Sequence, residues 1–254
     1  MGKKGGTHHM KRQAAPSFWP IHRKEFTWSV RPKSGPHPIH QCLPLIIVIR
    51  EVLGLAKTRK EAKKIISQGK ILVDGKIVRD ERFPTGLMDV VSIPELKTNY
   101  RVVPSSKGLI LHPIEEDEAK FKICRIDNKK TIKQGHVELN LHDGRNLIVS
   151  VGDPRRPEED TYSTLDTVKI IVPEQEILEH LKMQKGMLAA FTDGNNIGKS
   201  GTITSIEEQT GRKRRNFLIT IKNEAEESFQ TILNYALVIG DKKPRISLPA
   251  AEEP

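Results

Sequence analysis

Thr58-Arg59-Lys60-Glu61-Ala62-Lys63-Lys64-Ile65-Ile66-Ser67-Gln68-Gly69-Lys70-Ile71-Leu72-Val73-Asp74-Gly75-Lys76-Ile77-Val78 reads as a capped helix followed by a hairpin. Thr58 with Glu61 three residues on is a capping box, so the helix starts there. At about 100° per residue, Ala62, Ile65, Ile66 and Gly69 fall on one side. Arg59, Lys60, Lys63 and Lys64 fall within a stripe about 140° wide on roughly the opposite side. Asp74-Gly75 between two β-prone runs is the strongest short hairpin signal. The stretch therefore predicts a helix with an apolar inner face and a cationic outer one, backed by a small sheet.

Working outward, Pro44 suits the first turn of an earlier helix. Leu45, Ile49, Val52 and Leu53 recur at helical spacing, and Gly54 suits the position past its end. Met88–Ile93 reads as a further strand. Residues 43–105 are thus expected to form a small α+β unit of two helices and a hairpin. Arg50 and Lys57 extend its basic face, and Lys70 and Lys76 edge it.

Residues 1–42 read as an extended basic arm, rich in proline and poor in apolar periodicity. They carry Lys3, Lys4, Lys11, Arg12, Arg23, Lys24, Arg31, Lys33 and His37, interleaved with Phe18, Trp19, Phe26 and Trp28. An isolated arm of this kind has too little apolar surface to fold alone. Cations fit phosphates, and aromatic faces either stack on unpaired bases or pack against a neighbouring domain. The charge of the chain supports the first option. Residues 1–70 hold 15 Lys+Arg against 3 Asp+Glu, whereas the other 184 hold 27 against 29. A concentrated basic end attracts a polyanion and gains free energy by releasing its counterions.

Downstream, residues 106–173 alternate short strand-like runs with turns and predict a central small β-domain. Residues 174–184 are expected to form one short helix. Five strands then follow, Met187–Thr192, Thr202–Ile206, Phe217–Ile221, Phe229–Leu233 and Ala236–Ile239, which suit a small SH3-like barrel over 174–240. Arg212, Lys213, Arg214 and Arg215 sit where a hairpin tip should be, and residues 241–254 read as a proline-containing tail. The expected fold class is α+β, mostly β, and multidomain. An apolar content of 36% fits several small domains better than one large core.

Several chemistries find no support. Cys42 and Cys124 form no CxxC pair, which argues against a disulfide framework or a thiolate zinc site and suits a reducing cytosol. His37, His40 and Cys42 lack a second pair at ligand spacing, so no metal or other cofactor is expected. The one long apolar run, Leu43–Ile49, is too short to span a bilayer, and no membrane partner is expected. Gly194-Asn195-Asn196-Ile197-Gly198-Lys199-Ser200 has three residues between its glycines where a phosphate loop needs four, and strand-forming residues follow. Asp143-Gly144-Arg145-Asn146-Leu147 lacks the Asp of the Gly-Arg-Leu-Asp loop found in RNA-modifying synthases. No nucleophile–base pattern with a supporting local motif is present. The chain is not expected to be an enzyme or to take a small-molecule substrate.

Two local patterns resemble known modules. The helix–hairpin segment from Glu51 to Gly75 resembles the small RNA-binding domain shared by ribosomal proteins, tyrosyl-tRNA synthetases and pseudouridine synthases. Gly198-Lys199-x-Gly201-x-Ile203 resembles the KOW motif of ribosomal proteins and elongation factors. Their order and flanks, with His9-Met10-Lys11-Arg12-Gln13-Ala14-Ala15-Pro16, Arg31-Pro32, Gly35-Pro36-His37, Cys42 to Ile47, Gly86 to Ile93 and Ile246-Ser247-Leu248-Pro249, resemble the ribosomal S-four-e family over nearly the full length. The absence of a long basic C-terminal extension resembles the archaeal members. The resemblance implies a non-enzymatic constituent of the small ribosomal subunit in the cytoplasm, contacting small-subunit rRNA and neighbouring ribosomal proteins. In that setting the arm, the basic helix and the barrel loops with Lys199 and Arg212–Arg215 are the expected RNA contacts. The alternatives are a non-ribosomal RNA-binding or transcription factor, and an RNA-modifying enzyme carrying the same RNA-binding domain.

Overall fold

A computed structural model describes residues 9–152, 160–210, 215–223, 226–241 and 243–249. Lys3, Lys4, Arg212, Lys213 and Arg214 lie outside the described residues, as does the side chain of Arg215.

The capped helix forms as its residues dictate, over Arg59–Ser67. Glu61 N–H donates to Thr58 Oγ1 at 3.3 Å, and Glu61 Oε2 accepts from Thr58 N–H at 3.2 Å. Ala62 and Ile66 are fully buried. Leu72–Val73 and Lys76–Ile77 pair across Asp74 and Gly75, whose φ values of 49° and 74° place both in the left-handed region that this tight turn requires. The earlier helix starts at Leu45 and widens into a π-type turn over Val48–Val52, where Leu53 N–H bonds to Val48 O at 2.9 Å. Leu45–Ile49 is buried on every side, as an all-apolar helical run should be. Gly54, at φ 63°, follows its end.

Behind these helices lies an antiparallel five-stranded sheet. Its spatial order is Lys76–Ile77, Leu72–Val73, Val90–Ile93, Thr98–Ser105 and Gly108–Ile114. The division drawn from sequence at 105/106 falls inside the last hairpin, whose Ser105 pairs with Gly108.

The arm is the largest correction. From residue 9 onward it is folded onto the α+β unit rather than left extended. His9–Lys11 pairs with Trp28–Val30, and Cys42–Pro44 pairs with Pro84–Gly86. Trp19 is only 3% exposed and donates its indole N–H to Cys42 O at 2.9 Å. Ala15 and Trp19 share one core with Leu43, Leu45 and Ile66. A Trp buries about 150–250 Å², which compensates for the ordering of an otherwise polar segment.

The central sheet runs in the order Asn146–Val149, Val137–Leu141, Phe121–Thr131, Thr167–Ile171 and Ile177–Leu181. Residues 177–181 are therefore a strand, not the expected helix. The spacing of Ile177, Leu178 and Leu181 suits either period. The open edge of Thr167–Ile171 decides between them, since a lone helix of this length is marginal in water. The C-terminal sheet runs Ser228–Ile232, Arg215–Lys222, Ser200–Thr210, Leu188–Phe191 and Ala236–Gly240, all antiparallel. The tail is pinned, not loose, through its described residues. Ile246 is 3% exposed beside Leu237 and Ile239, and Arg245 pairs with Glu179 at 2.7 Å.

A buried ionic joint locks three of these units together. Lys122 Nζ, on the central sheet, lies 2.5 Å from Asp89, 3.0 Å from Asp74 and 2.9 Å from Asp143. Its three protons thus have three acceptors. Arg145 bonds Asp74 at 2.6 Å, and His37 of the arm meets Asp89 at 3.1 Å. Each carboxylate also accepts a backbone N–H, from Val90, Gly86 and Arg145. Partners for the Lys122 ammonium and for all three carboxylates are what make a buried charge cluster tolerable. Burial works against the charged forms of Lys122 and of the three carboxylates. At Asp143 burial is the largest single influence, but Lys122, His142 and Arg145 together outweigh it and lower the carboxyl to about 2. At Asp74 burial prevails and the carboxyl is raised.

Candidate nucleic-acid interface

The outward face of helix 59–67 is the clearest display of charge. Lys60, Lys63 and Lys64 are exposed and form no ion pair with a described residue. Glu61 does not neutralise them. Its carboxylate is turned back to accept the backbone N–H groups of Thr58 and Lys57, which holds it below the usual carboxylate range. The cap therefore shapes the electrostatics as well as the helix start. Lys57 and Lys76 are also exposed at the margins. Arg59 is half-exposed and reaches Glu81 at 2.7 Å. Lys70 pairs with Glu95 at 3.0 Å, and Arg50 with Glu51 at 2.5 Å. Exposed Arg79 was not foreseen and lies beside Gly69.

Among the arm residues the expected contacts separate into two groups. Arg12 is 2% exposed, lies 3.4 Å from both Glu25 and Glu51, and is covered by the Phe26 ring at 5.2 Å. Arg23 donates to three backbone carbonyls, of Gln13, Ala15 and Pro16. Burial of Arg12 and His37 withdraws them from any surface that RNA touches, since Arg12 meets Glu25 and Glu51 and His37 bonds Asp89. Arg31 is partly buried and partnered. Lys33 lies 3.5 Å from Asp80 and stays largely exposed. Lys11 and Lys24 are exposed.

The C-terminal loop behaves differently from a phosphate cradle. Gly194 and Gly198 have φ of 87° and 82°, and the chain enters a strand at Ser200. A Cβ on Gly198 would lie 2.7 Å from Ser105 Cα, so this glycine allows the loop to press on the protein's own hairpin. Lys199 Nζ sits 3.8 Å over the Phe229 ring.

Two features escaped the sequence reading. The Lys122 joint has no local signature, because its members are spread from residue 37 to 145. Arg101, fully buried, pairs with Glu118 at 3.2 Å. Among the described residues no helix is long and apolar enough to cross a membrane, and no group of three ligating side chains is placed to hold a metal ion.

Comparisons with known proteins agree on one family. The model for "Ribosomal family S4e" matches residues 96–177, that for the RS4NT domain residues 4–40, and that for the S4 domain residues 44–91. The small ribosomal subunit protein eS4 of Aeropyrum pernix is 48% identical over 250 residues, 98% of each chain. Those of Staphylothermus marinus and Methanocaldococcus jannaschii are 46% and 45% identical, covering 98% of this chain in each case and 98% and 100% of theirs. The crystal structure of the 30S ribosomal protein S4e from Thermoplasma acidophilum superposes with a TM-score of 0.64 at 30% identity, over 79% of this chain and 96% of that one. With an S4-type helix–hairpin unit, its arm and relatives matched over 98% of its length, the chain belongs to the ribosomal S4e family.

Proposed function

We propose that this protein is a structural constituent of the small ribosomal subunit, where it binds small-subunit rRNA and supports subunit assembly and translation. The carrying observation is the row of Lys60, Lys63 and Lys64, without an acidic partner among the described residues, on the outer face of the S4-type helix. A rigid row of point charges fits an RNA backbone and reads its shape more than its sequence. Exposed Lys57, Lys76 and Arg79 extend the same field.

The role is one of binding and positioning, without catalysis and without a cofactor. Neighbouring ribosomal proteins are the second class of partner. The five-stranded C-terminal sheet, with Gly198-Lys199-x-Gly201-x-Ile203 at its first turn, is read as a KOW-type SH3-like barrel. In that reading Arg212, Lys213 and Arg214 are a second RNA contact.

Sedimentation of a cell extract through a high-salt sucrose gradient tests the assignment. The expected result is co-migration with the small subunit at about one copy per particle. A majority remaining free of ribosomes would reject it in favour of a soluble RNA-binding factor.

A further inference from the structure

The four aromatics of the arm are divided by the fold. Phe18 packs against the core and Trp19 is 3% exposed within it. Phe26 and Trp28, two residues apart, are 61% and 55% exposed. Trp28 lies on the hairpin strand opposite Lys11, so both side chains stand on one face of the pair. The His9 ring meets the Trp28 ring edge-on at 5.2 Å between centroids. Lys24 is exposed two residues before Phe26. Glu25 is the acidic residue nearest in sequence, and its carboxylate reaches Arg12.

Single exposed apolar side chains are common and need no account. An exposed Trp28 ring held on a paired strand opposite Lys11, with an exposed Phe26 two residues before it whose ring packs on Arg12, is a different case. A pure docking surface for an apolar protein face gains nothing from the cations. An unpaired nucleotide uses both, because its base stacks on the ring while its phosphate meets the ammonium. The His9 contact also orients the Trp28 ring before any partner arrives, lowering the ordering cost of a stack.

We infer that the exposed Trp28 ring, assisted by Phe26 and by Lys11 across the hairpin, is a stacking platform for an unpaired base of the bound RNA. The inference rests on the rRNA-binding role proposed above and adds to it a site of a different kind. The helix lysines offer charges to phosphates, whereas the arm hairpin takes a single-stranded base.

The two contact types have separate signatures. A phosphate contact contributes to the salt dependence of binding, and a stack does not. The test uses the full-length protein and an in vitro transcript of archaeal small-subunit rRNA, with affinity measured across a series of salt concentrations. Trp28→Ala is expected to weaken binding about tenfold or more at every salt, with an unchanged salt slope. Trp28→Phe is expected to recover most of that loss. Trp28 emission should also be quenched on binding, a signal absent from Trp28→Phe, which keeps only the buried Trp19. A thermal melt matching the wild type would show that each variant is folded.

Unchanged affinity of Trp28→Ala, with the wild type still binding in a salt-dependent way, would overturn the platform and leave the rRNA role standing. The same result combined with loss of the variant from ribosomal subunits would assign the ring to a protein neighbour, also overturning it. Failure of the wild type to bind the transcript would overturn both readings.

Discussion

The cations of the arm and those of the helix at 59–67 look alike in the sequence and are used in opposite ways. Arg12 is buried between two glutamates, and Arg23 ties three carbonyls. Lys60, Lys63 and Lys64 stand in solvent with no described acidic partner. The division follows side-chain chemistry. A guanidinium offers five donors in a planar fork that satisfies several fixed acceptors at once, whereas an ammonium is a compact, strongly hydrated charge that costs more to bury. Of the expected contact residues with described side chains, those whose side chains make no hydrogen bond, ion pair or ring contact with a described residue are Lys11, Lys24, Lys57, Lys60, Lys63, Lys64 and Lys76. Charge counted along a chain is therefore not charge presented to a partner.

Lys122 breaks the pattern, being a fully buried ammonium, and gives the largest expected effect. Lys122→Ala would leave Asp74, Asp89 and Asp143 buried around the space its ammonium fills. Removing one partner from a buried charge cluster costs about 3–5 kcal/mol. Chemical denaturation should show that loss, and orientation of the central sheet against the S4-type unit should loosen with it. A cost below about 1 kcal/mol would mean that apolar packing alone holds the units together.

Arg12→Ala comes next. The guanidinium is buried, but Glu25 is half-exposed and regains water when released. The expected loss is about 1–2 kcal/mol, discounted for that solvation. Because Arg12 serves the fold, the salt dependence of RNA binding should not change. A lower salt slope in a stable variant would move Arg12 to the interface side of the comparison.

His142 connects the joint to pH. Burial, reinforced by Lys122, lowers its pKa from 6.5 to about 4. The geometry agrees, since Nδ1 faces the Arg125 N–H as an acceptor at 3.2 Å, an arrangement that a protonated ring cannot keep. The folded value lies below the unfolded one, so between them the unfolded chain binds the extra proton. The stabilising contribution is complete above pH 6.5 and declines as pH falls toward 4, by at most about 1.4 kcal/mol per pH unit. Melting curves at pH 7 and pH 5 should show the decline, and His142→Asn should flatten it.

How much of this was legible follows from the range of the interactions. The helix start, its amphipathic stripe and the Asp74-Gly75 turn are set by neighbours within four residues, and the structure keeps all three. The strand at 177–181 was not legible, because a partner edge decided between two periods that its residues fit equally. Trp19 and Trp28 differ by nothing local. One meets the Cys42 carbonyl and a core, and the other does not. At the candidate interface the lysines of the helix were readable from spacing, while burial of Arg12 and His37 depended on Glu51 and Asp89, 39 and 52 residues away.

The smallest effect on stability is expected where the effect on binding is clearest. Lys60→Ala, Lys63→Ala and Lys64→Ala together remove three side chains that face away from the buried Ala62–Ile66 stripe. Surface changes of this kind usually stay within about 0.5 kcal/mol each, and alanine is the better helix former. Arg59 is left in place, since its pairing with Glu81 would mix a structural loss into the result. Binding to small-subunit rRNA should weaken, and its salt slope should fall by about 0.9 or less for each phosphate contact removed. A slope that stays unchanged while the fold is intact would show that these charges face solvent in the bound state. The opposite result, a normal slope in Arg12→Ala beside a reduced one here, separates cations that build the protein from cations that meet its partner.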